Sequence, residues 1–291
     1  MLYLSKRCAV GIIFHSSYKD GFRTIFLGII FESIDEGQTI RMFMAQRVAL
    51  ITGGGKRIGA ATVSLLMDNN WFVIIHVRTS VSEAEEILQA FEQKNGSKAP
   101  AEILQADLNS DEELAELIQA VLKHEKVKSC GGLHALIHNA SIYSSKDYEV
   151  VLLEELRLNN RLHLEVPFLL TQGLLKPLRS AQGCVIGMVD TSLGRAWKGL
   201  SHYTASKAGL RQLMMNLAGD LAPDVRVNCV APGAIIAADW ESEHFASLLE
   251  KIPLGRAGEP LDVAKAIMFL ADSSYLSGQT INVDGGWSVS P

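Results

Sequence analysis

The stretch Val48-Ala49-Leu50-Ile51-Thr52-Gly53-Gly54-Gly55-Lys56-Arg57-Ile58-Gly59 decides the fold. An apolar strand-like run passes directly into a glycine cluster, and the cluster opens a helical stretch from about Lys56 to Asn69. Glycine lets a backbone turn tightly and approach an anion closely. The helix that follows offers free N–H groups and the positive end of its dipole. Any strand-to-helix turn can use glycine, so the cluster alone says little. Placed after a first strand and before a helix, it reads as a pyrophosphate cradle with Gly53, Lys56, Arg57 and Ile58 as contact residues.

Outward from this point the same unit repeats. Strands are read at Val48–Thr52, Trp71–His76, Ala101–Gln105, Leu133–His138, Cys184–Met188, Val225–Val230 and Gln279–Val283. Between them lie helical stretches at about Ser82–Asn95, Asp111–Leu122, Leu152–Leu175, Tyr203–Leu221 and Leu261–Leu270. Leu114, Leu117, Ile118 and Val121 show the 3.6-residue stripe. Continuously apolar strands are buried on both faces, and their alternation with helices implies a parallel sheet covered on both sides. With right-handed crossovers, the prediction is an α/β protein: one Rossmann-type, doubly wound parallel sheet with its ligand at the carboxyl ends of the strands.

The bulk composition fits this reading. The chain has 291 residues, 48% of them hydrophobic and 20% charged, with a formal net charge of -5. That charge gives no sign of a nucleic-acid partner. Cys8, Cys130, Cys184 and Cys229 are scattered, which points to no disulfide framework, no metal site and a reducing, cytoplasmic setting. Residues 1–43 differ in character. Their two apolar runs, Cys8–Phe14 and Ile25–Phe31, are too short for the roughly 20 residues a bilayer requires. Lys6-Arg7 before the first run hints at a signal peptide, but no small-residue cleavage pattern follows. We read 1–43 as an upstream extension without a part in the chemistry, and 44–291 as the domain.

The end of the second strand, His76-Val77-Arg78-Thr79-Ser80, has no acid until Glu83. An acid there would hold a ribose 2′-hydroxyl; Arg78, Thr79 and Ser80 suit a 2′-phosphate instead. The expected cofactor is therefore NADPH. Asp107 and Leu108 follow the third strand, where an adenine is met, and capping of the next helix is an equal reading for Asp107.

Tyr203 and Lys207 stand four apart in Tyr203-Thr204-Ala205-Ser206-Lys207, on one face of a helix. A phenol is a poor acid or base at neutral pH, and a neighbouring ammonium favours its phenolate. With Thr52-Gly53…Gly59, Asn139-Ala140-Ser141, Pro232-Gly233 and Asn282-Val283-Asp284-Gly285-Gly286, this pair resembles the short-chain dehydrogenase/reductase family over about Ala45 to Trp287. The resemblance implies that Asn139, Ala140, Ser141, Pro232 and Gly233 meet the cofactor, that Lys207 holds its ribose, and that subunits pair through the long helices into homotetramers.

The departures from that family are informative. The family's Ser, thirteen residues before the Tyr, is Asp190 here, and the middle glycine of the loop is Arg57. An ionised Asp would repel the oxyanion of a reduced carbonyl but suits proton delivery to a ring nitrogen. Both features resemble the pteridine reductases. The resemblance implies that Arg57, Ser141, Asp190 and Tyr203 contact a pterin and that Tyr143 stacks on it, although Tyr143 also reads as a plain loop aromatic. His163, four residues before Pro167, stands where the family often has Asn supporting Lys207 through water. This variant resembles bacterial dihydromonapterin/dihydrofolate reductases more than protozoan pteridine reductases. Thr191 or Ser192 would restore carbonyl chemistry if the strand end bulged, so a carbonyl reductase is the alternative reading; a dinucleotide-binding sensor without turnover is the second. Specificity is expected in Ala234–Pro253, where Trp240, Glu241 and His244 are candidates for a lid.

Overall fold

The computed structural model describes residues 46–236, Phe245 and 249–290, together with a two-stranded antiparallel hairpin of Tyr18–Lys19 and Phe22–Arg23. The chain forms two compact units, Met1–Ala45 and Gln46–Pro291. The apolar runs read at Cys8–Phe14 and Ile25–Phe31 lie outside the described residues, as do Trp240, Glu241 and His244.

Among the described residues, the second unit has seven strands: β1 (Arg47–Thr52), β2 (Trp71–Val77), β3 (Ala101–Gln105), β4 (Ala135–His138), β5 (Cys184–Met188), β6 (Arg226–Pro232) and β7 (Thr280–Val283). All pair in parallel, in the order β3-β2-β1-β4-β5-β6-β7. The order reverses between β1 and β4, and a crevice opens at such a switch point.

Among the described residues, the α-helices are α1 (Arg57–Asp68), α2 (Val81–Asn95), α3 (Asp111–Lys123), α4 (Glu125–Ser129), α5 (Leu153–Asn160), α6 (Val166–Gly173), α7 (Leu175–Ser180), α8 (Ser201–Asp220) and α9 (Pro260–Asp272). The two-residue alternation of β1 divides the core. Val48 and Leu50 join the layer of Leu117, Leu170, Leu210 and Met214 from α3, α6 and α8. Ala49 and Ile51 join Val63, Leu66, Val263 and Ile267 from α1 and α9. Leu210 and Met214 are core, with Leu213 and Leu217 packed against them. Cys184 and Cys229 are buried free thiols.

One expectation is corrected. The stretch 152–175 is not one helix: a π turn, Arg161–Glu165, separates α5 from α6, and Gly173 ends α6. Pro167 lies just after that turn and has no N–H to donate, so it removes one bond from the regular ladder. The wider turn carries His163 into the interior, where it is 1% exposed.

Candidate active site

The strand ends converge on a cavity of about 500 Å³. Residues just past six strands line it: Gly53 after β1, Arg78 after β2, Asp107 after β3, Asn139 after β4, Asp190 after β5 and Gly233 after β6. Lys56, Arg57, Ile58, Thr79, Ser80, Leu108, Ala140, Ser141, Tyr143, Tyr203, Lys207 and Pro232 complete the set that the sequence singled out. His163 lies behind the wall.

The glycine loop is held from both sides. Gly54 N–H donates to the His76 carbonyl at 3.0 Å, and the Asn139 side-chain amide donates to the Thr52 and Gly53 carbonyls at 2.9 Å each. A Cβ on Gly59 would strike the Gly53 carbonyl oxygen, and one on Gly55 would come within 2.5 Å of Ser80 Oγ. Arg57 holds the glycine position with φ 53°, a left-handed conformation that costs a side chain about 1–2 kcal/mol. Its guanidinium donates to the Ile236 carbonyl at 2.8 Å, tying the loop to the segment after β6. Glu83, the first acid after β2, is paired with Lys56 at 2.6 Å and does not line the cavity. Asp107 does not cap α3: its carboxylate accepts from the backbone and side chain of Asn109, and Ser110 is the cap.

At the other end, Tyr203 donates its phenolic hydrogen to Asp190 Oδ2 at 2.7 Å, and Asp190 Oδ1 accepts from the Ser192 N–H at 2.7 Å. Lys207 is buried and donates to the Met188 carbonyl at 2.7 Å, with Nζ 5.8 Å from the Tyr203 ring centre. Burial lowers its pKa to about 8, against the opposing pull of Asp190. Tyr143 stands edge-on to Tyr203, ring centres 5.0 Å apart. His163 bridges Ser141 and Ser206 at 2.8 Å each. Thr191 is turned to Asp284 at 3.0 Å, and the Ser192 hydroxyl is buried with no partner among the described residues. The strand end therefore presents Asp190, and not a neighbouring hydroxyl, to the tyrosine.

Two cavity residues carried no signal in the sequence. Trp197 and Trp287 pack with ring centres 5.1 Å apart. Trp197 donates to the Ser192 carbonyl, and Arg195 bonds the Trp287, Ser288 and Ser290 carbonyls, folding the C-terminal segment against the site. Ala234, Ile235, Ile236 and Phe245 of the expected specificity segment also line the cavity.

A parallel sheet with this order, its glycine loop and its Tyr203–Lys207 pair at one mouth match a known pattern. The family model described as enoyl-(acyl carrier protein) reductase matches residues 54–288. The chain belongs to the short-chain dehydrogenase/reductase family. Within that family, the dihydromonapterin reductase of Enterobacter sp. (strain 638) is 32% identical over 250 residues, covering 83% of this chain and 96% of the relative. A 3-oxoacyl-[acyl-carrier-protein] reductase of Synechocystis sp. is also 32% identical, over 248 residues that cover 84% of this chain and 97% of that one. The crystal structure of FolM alternative dihydrofolate reductase 1 from Brucella canis, complexed with NADP, superposes with a TM-score of 0.75 at 28% identity, covering 85% of this chain and 96% of the other. Overall identity thus does not separate a pterin reductase from an oxoacyl reductase within the family; the residues of the site must.

Proposed function

We propose that this short-chain reductase uses NADPH to reduce a dihydropteridine, of the dihydromonapterin, dihydrobiopterin or dihydrofolate kind, to its tetrahydro form. One observation carries the reading: the Tyr203 hydroxyl is bonded to the Asp190 carboxylate at 2.7 Å. A carbonyl reductase needs donors where oxyanion charge develops. Here the tyrosine's hydrogen points to an acceptor, and a carboxylate stands where the family has a serine. A pterin edge carries an amino group and ring N–H donors that a carboxylate can accept, and its ring nitrogen takes up a proton.

The cofactor fits the cradle. Gly55 and Gly59 have no room for a Cβ, which keeps the loop tight, and Gly53 and Gly59 line the cavity at the N-terminus of α1. Gly53, Lys56, Arg57 and Ile58 would hold the pyrophosphate. Arg78, Thr79 and Ser80 would take the 2′-phosphate, and Asp107 and Leu108 the adenine. Asn139, Ala140, Ser141, Pro232 and Gly233 would line the nicotinamide end. NADPH bound there supplies the hydride.

The chain's own residues handle the proton. Tyr203 and Asp190, which share the phenolic hydrogen in their 2.7 Å bond, together deliver a proton to the substrate nitrogen, directly or through water. Asp190 orients that hydroxyl and holds the substrate's donor edge. Lys207 holds the nicotinamide ribose and adds positive charge beside the phenol. Arg57 reaches cofactor phosphate and substrate, Ser141 contacts the substrate, Tyr143 covers the pterin, and His163 supports the wall. Residues 1–43 take no part, and 44–291 act as the catalytic domain. Among the described residues, no helix is long and apolar enough to cross a membrane. A cytoplasmic homotetramer paired through the long helices completes the proposal.

Replacing Asp190 by Ser tests the reading. We expect dihydropterin turnover to fall by about 10²-fold or more, the scale of a lost acid–base or electrostatic group, while ketone reduction appears or rises. Unchanged pterin turnover in D190S would refute the role.

A further inference from the structure

Ser141, His163 and Ser206 form a hydrogen-bonded chain at the back of the cavity, and their hydrogens can be counted. Ser206 Oγ donates to the Tyr203 carbonyl at 2.7 Å. A hydroxyl has one hydrogen, so in the 2.8 Å contact between Ser206 Oγ and His163 Nδ1 the ring nitrogen donates. Burial, with the Lys207 charge second, lowers the His163 pKa to about 2. The ring is therefore neutral and has a single N–H. Nε2 keeps a lone pair, and Ser141 Oγ, 2.8 Å away, is the donor. The rival use of that hydrogen, the Ile142 carbonyl, is 3.3 Å away and makes the poorer bond. Ser141 directs its one hydrogen to the back of the wall and faces the cavity with lone pairs only.

We infer that His163 is a positioning residue: held as the Nδ1–H tautomer between Ser206 and Ser141, it fixes Ser141 as a hydrogen-bond acceptor toward the substrate. The inference rests on the dihydropteridine reading for the identity of that substrate. Asp190 is an acceptor too, and Tyr203 gives its hydrogen to Asp190. The wall then selects a ligand edge rich in N–H donors, such as an aminopyrimidine, over a bare carbonyl. The π turn has a purpose in this account, because it brings the imidazole within reach of both serines.

The direct test is nitrogen-15 NMR of the full-length protein labelled at histidine, with the His163 signals assigned by their loss in His163→Asn. The expected result is a neutral ring protonated at Nδ1 from about pH 5.5 to about pH 8. A proton on Nε2, or a charged ring in that range, overturns the inference. This measurement needs no turnover, so failure of the pterin reading and failure of the tautomer are distinguished. Kinetics supply a second test. His163→Leu frees the Ser141 hydroxyl to rotate, and the KM for the dihydropterin should rise about tenfold, the value of one hydrogen bond. We expect kcat and the KM for NADPH to stay within about threefold in that variant, and His163→Asn, whose amide both donates and accepts, to recover most of the loss. An unchanged dihydropterin KM in His163→Leu, or a rise confined to NADPH, contradicts the assignment.

Discussion

Tyr203 and Asp190, thirteen residues apart in sequence, are joined by a 2.7 Å hydrogen bond in which the phenol donates to the carboxylate. The tyrosine comes from the first turn of α8 and the aspartate from just past the end of β5, so the bond fixes a helix against a strand end at the cavity wall. Tyr203→Phe keeps the ring, its edge contact with Tyr143 and its burial, and removes only the hydroxyl. Turnover should fall about 10²- to 10⁴-fold, as for loss of a general acid. NADPH binding, read by fluorescence titration, should change by less than about threefold.

Arg78 is exposed at the cavity rim, beside Thr79 and Ser80. If it meets a 2′-phosphate, Arg78→Ala should raise the KM for NADPH about 10- to 100-fold, matching one charge-assisted contact. The KM for NADH should barely move. Steady-state kinetics with both cofactors measure the difference, and a parallel loss with NADH would show that Arg78 does not read the phosphate.

Gly59 packs its Cα hydrogen against the Gly53 carbonyl, where a methyl would overlap. Gly59→Ala must push the loop away from Asn139, which holds it through two bonds. We expect a stability loss of about 1–3 kcal/mol, typical of overpacking, and NADPH affinity reduced by more than about tenfold. Thermal unfolding with and without NADPH reads both quantities, since ligand stabilisation depends on affinity.

Lys207 makes activity and stability diverge above pH 8. Its folded pKa, about 8 through burial, is below its ordinary value of 10.5. Below about pH 8 the buried cation is charged in both states, and its desolvation cost is fully present. Between about 8 and 10.5 the unfolded chain binds the extra proton, so this group's contribution to stability rises with pH. The cation proposed to hold the nicotinamide ribose is lost over the same range. Activity should fall above about pH 8 while the stability difference from Lys207→Met changes in favour of the native lysine, as denaturant titrations across that range would show.

The buried histidines act at the acid end. Burial lowers His134 to about 4, with Arg47 assisting, and His138 to about 3; burial also lowers His163 to about 2. Each is neutral in the fold, so its stabilising contribution is complete above the unfolded pKa of about 6.5 and is lost as pH falls below it. Each should remove about 1 kcal/mol per pH unit below that point. Burial lowers the His76 imidazole as well, so His138→Gln, which can still bond Thr171, should flatten the decline between about pH 6.5 and 4.5 by roughly a quarter.

Much of this architecture was legible because short apolar runs alternate with helical stretches, whether the strand is buried throughout, as at Cys184–Met188, or half-exposed at the sheet edge, as at Ala101–Gln105. Ala101–Gln105 and Cys184–Met188 read from sequence with the same bounds as β3 and β5. The glycine loop, Tyr203, Lys207 and Asp190 were legible because their chemistry needs fixed spacings. The π turn was not, since it depends on a shift in hydrogen-bond register that composition does not record. Trp197 and Trp287 were also silent: they meet across segments about 90 residues apart, held together in part by Arg195. Asp107 was ambiguous in sequence because a short carboxylate serves turns and caps alike, and Ser110 resolved it by taking the cap.

NADPH oxidation by the full-length protein, followed side by side with dihydromonapterin, dihydrobiopterin, dihydrofolate and a panel of simple ketones, tests the central claim most directly. The account predicts turnover of at least one dihydropterin with a kcat/KM well above that of every ketone. Turnover of ketones alone would leave the fold and the Tyr203–Lys207 pair in place and contradict the assignment of Asp190 to pterin reduction.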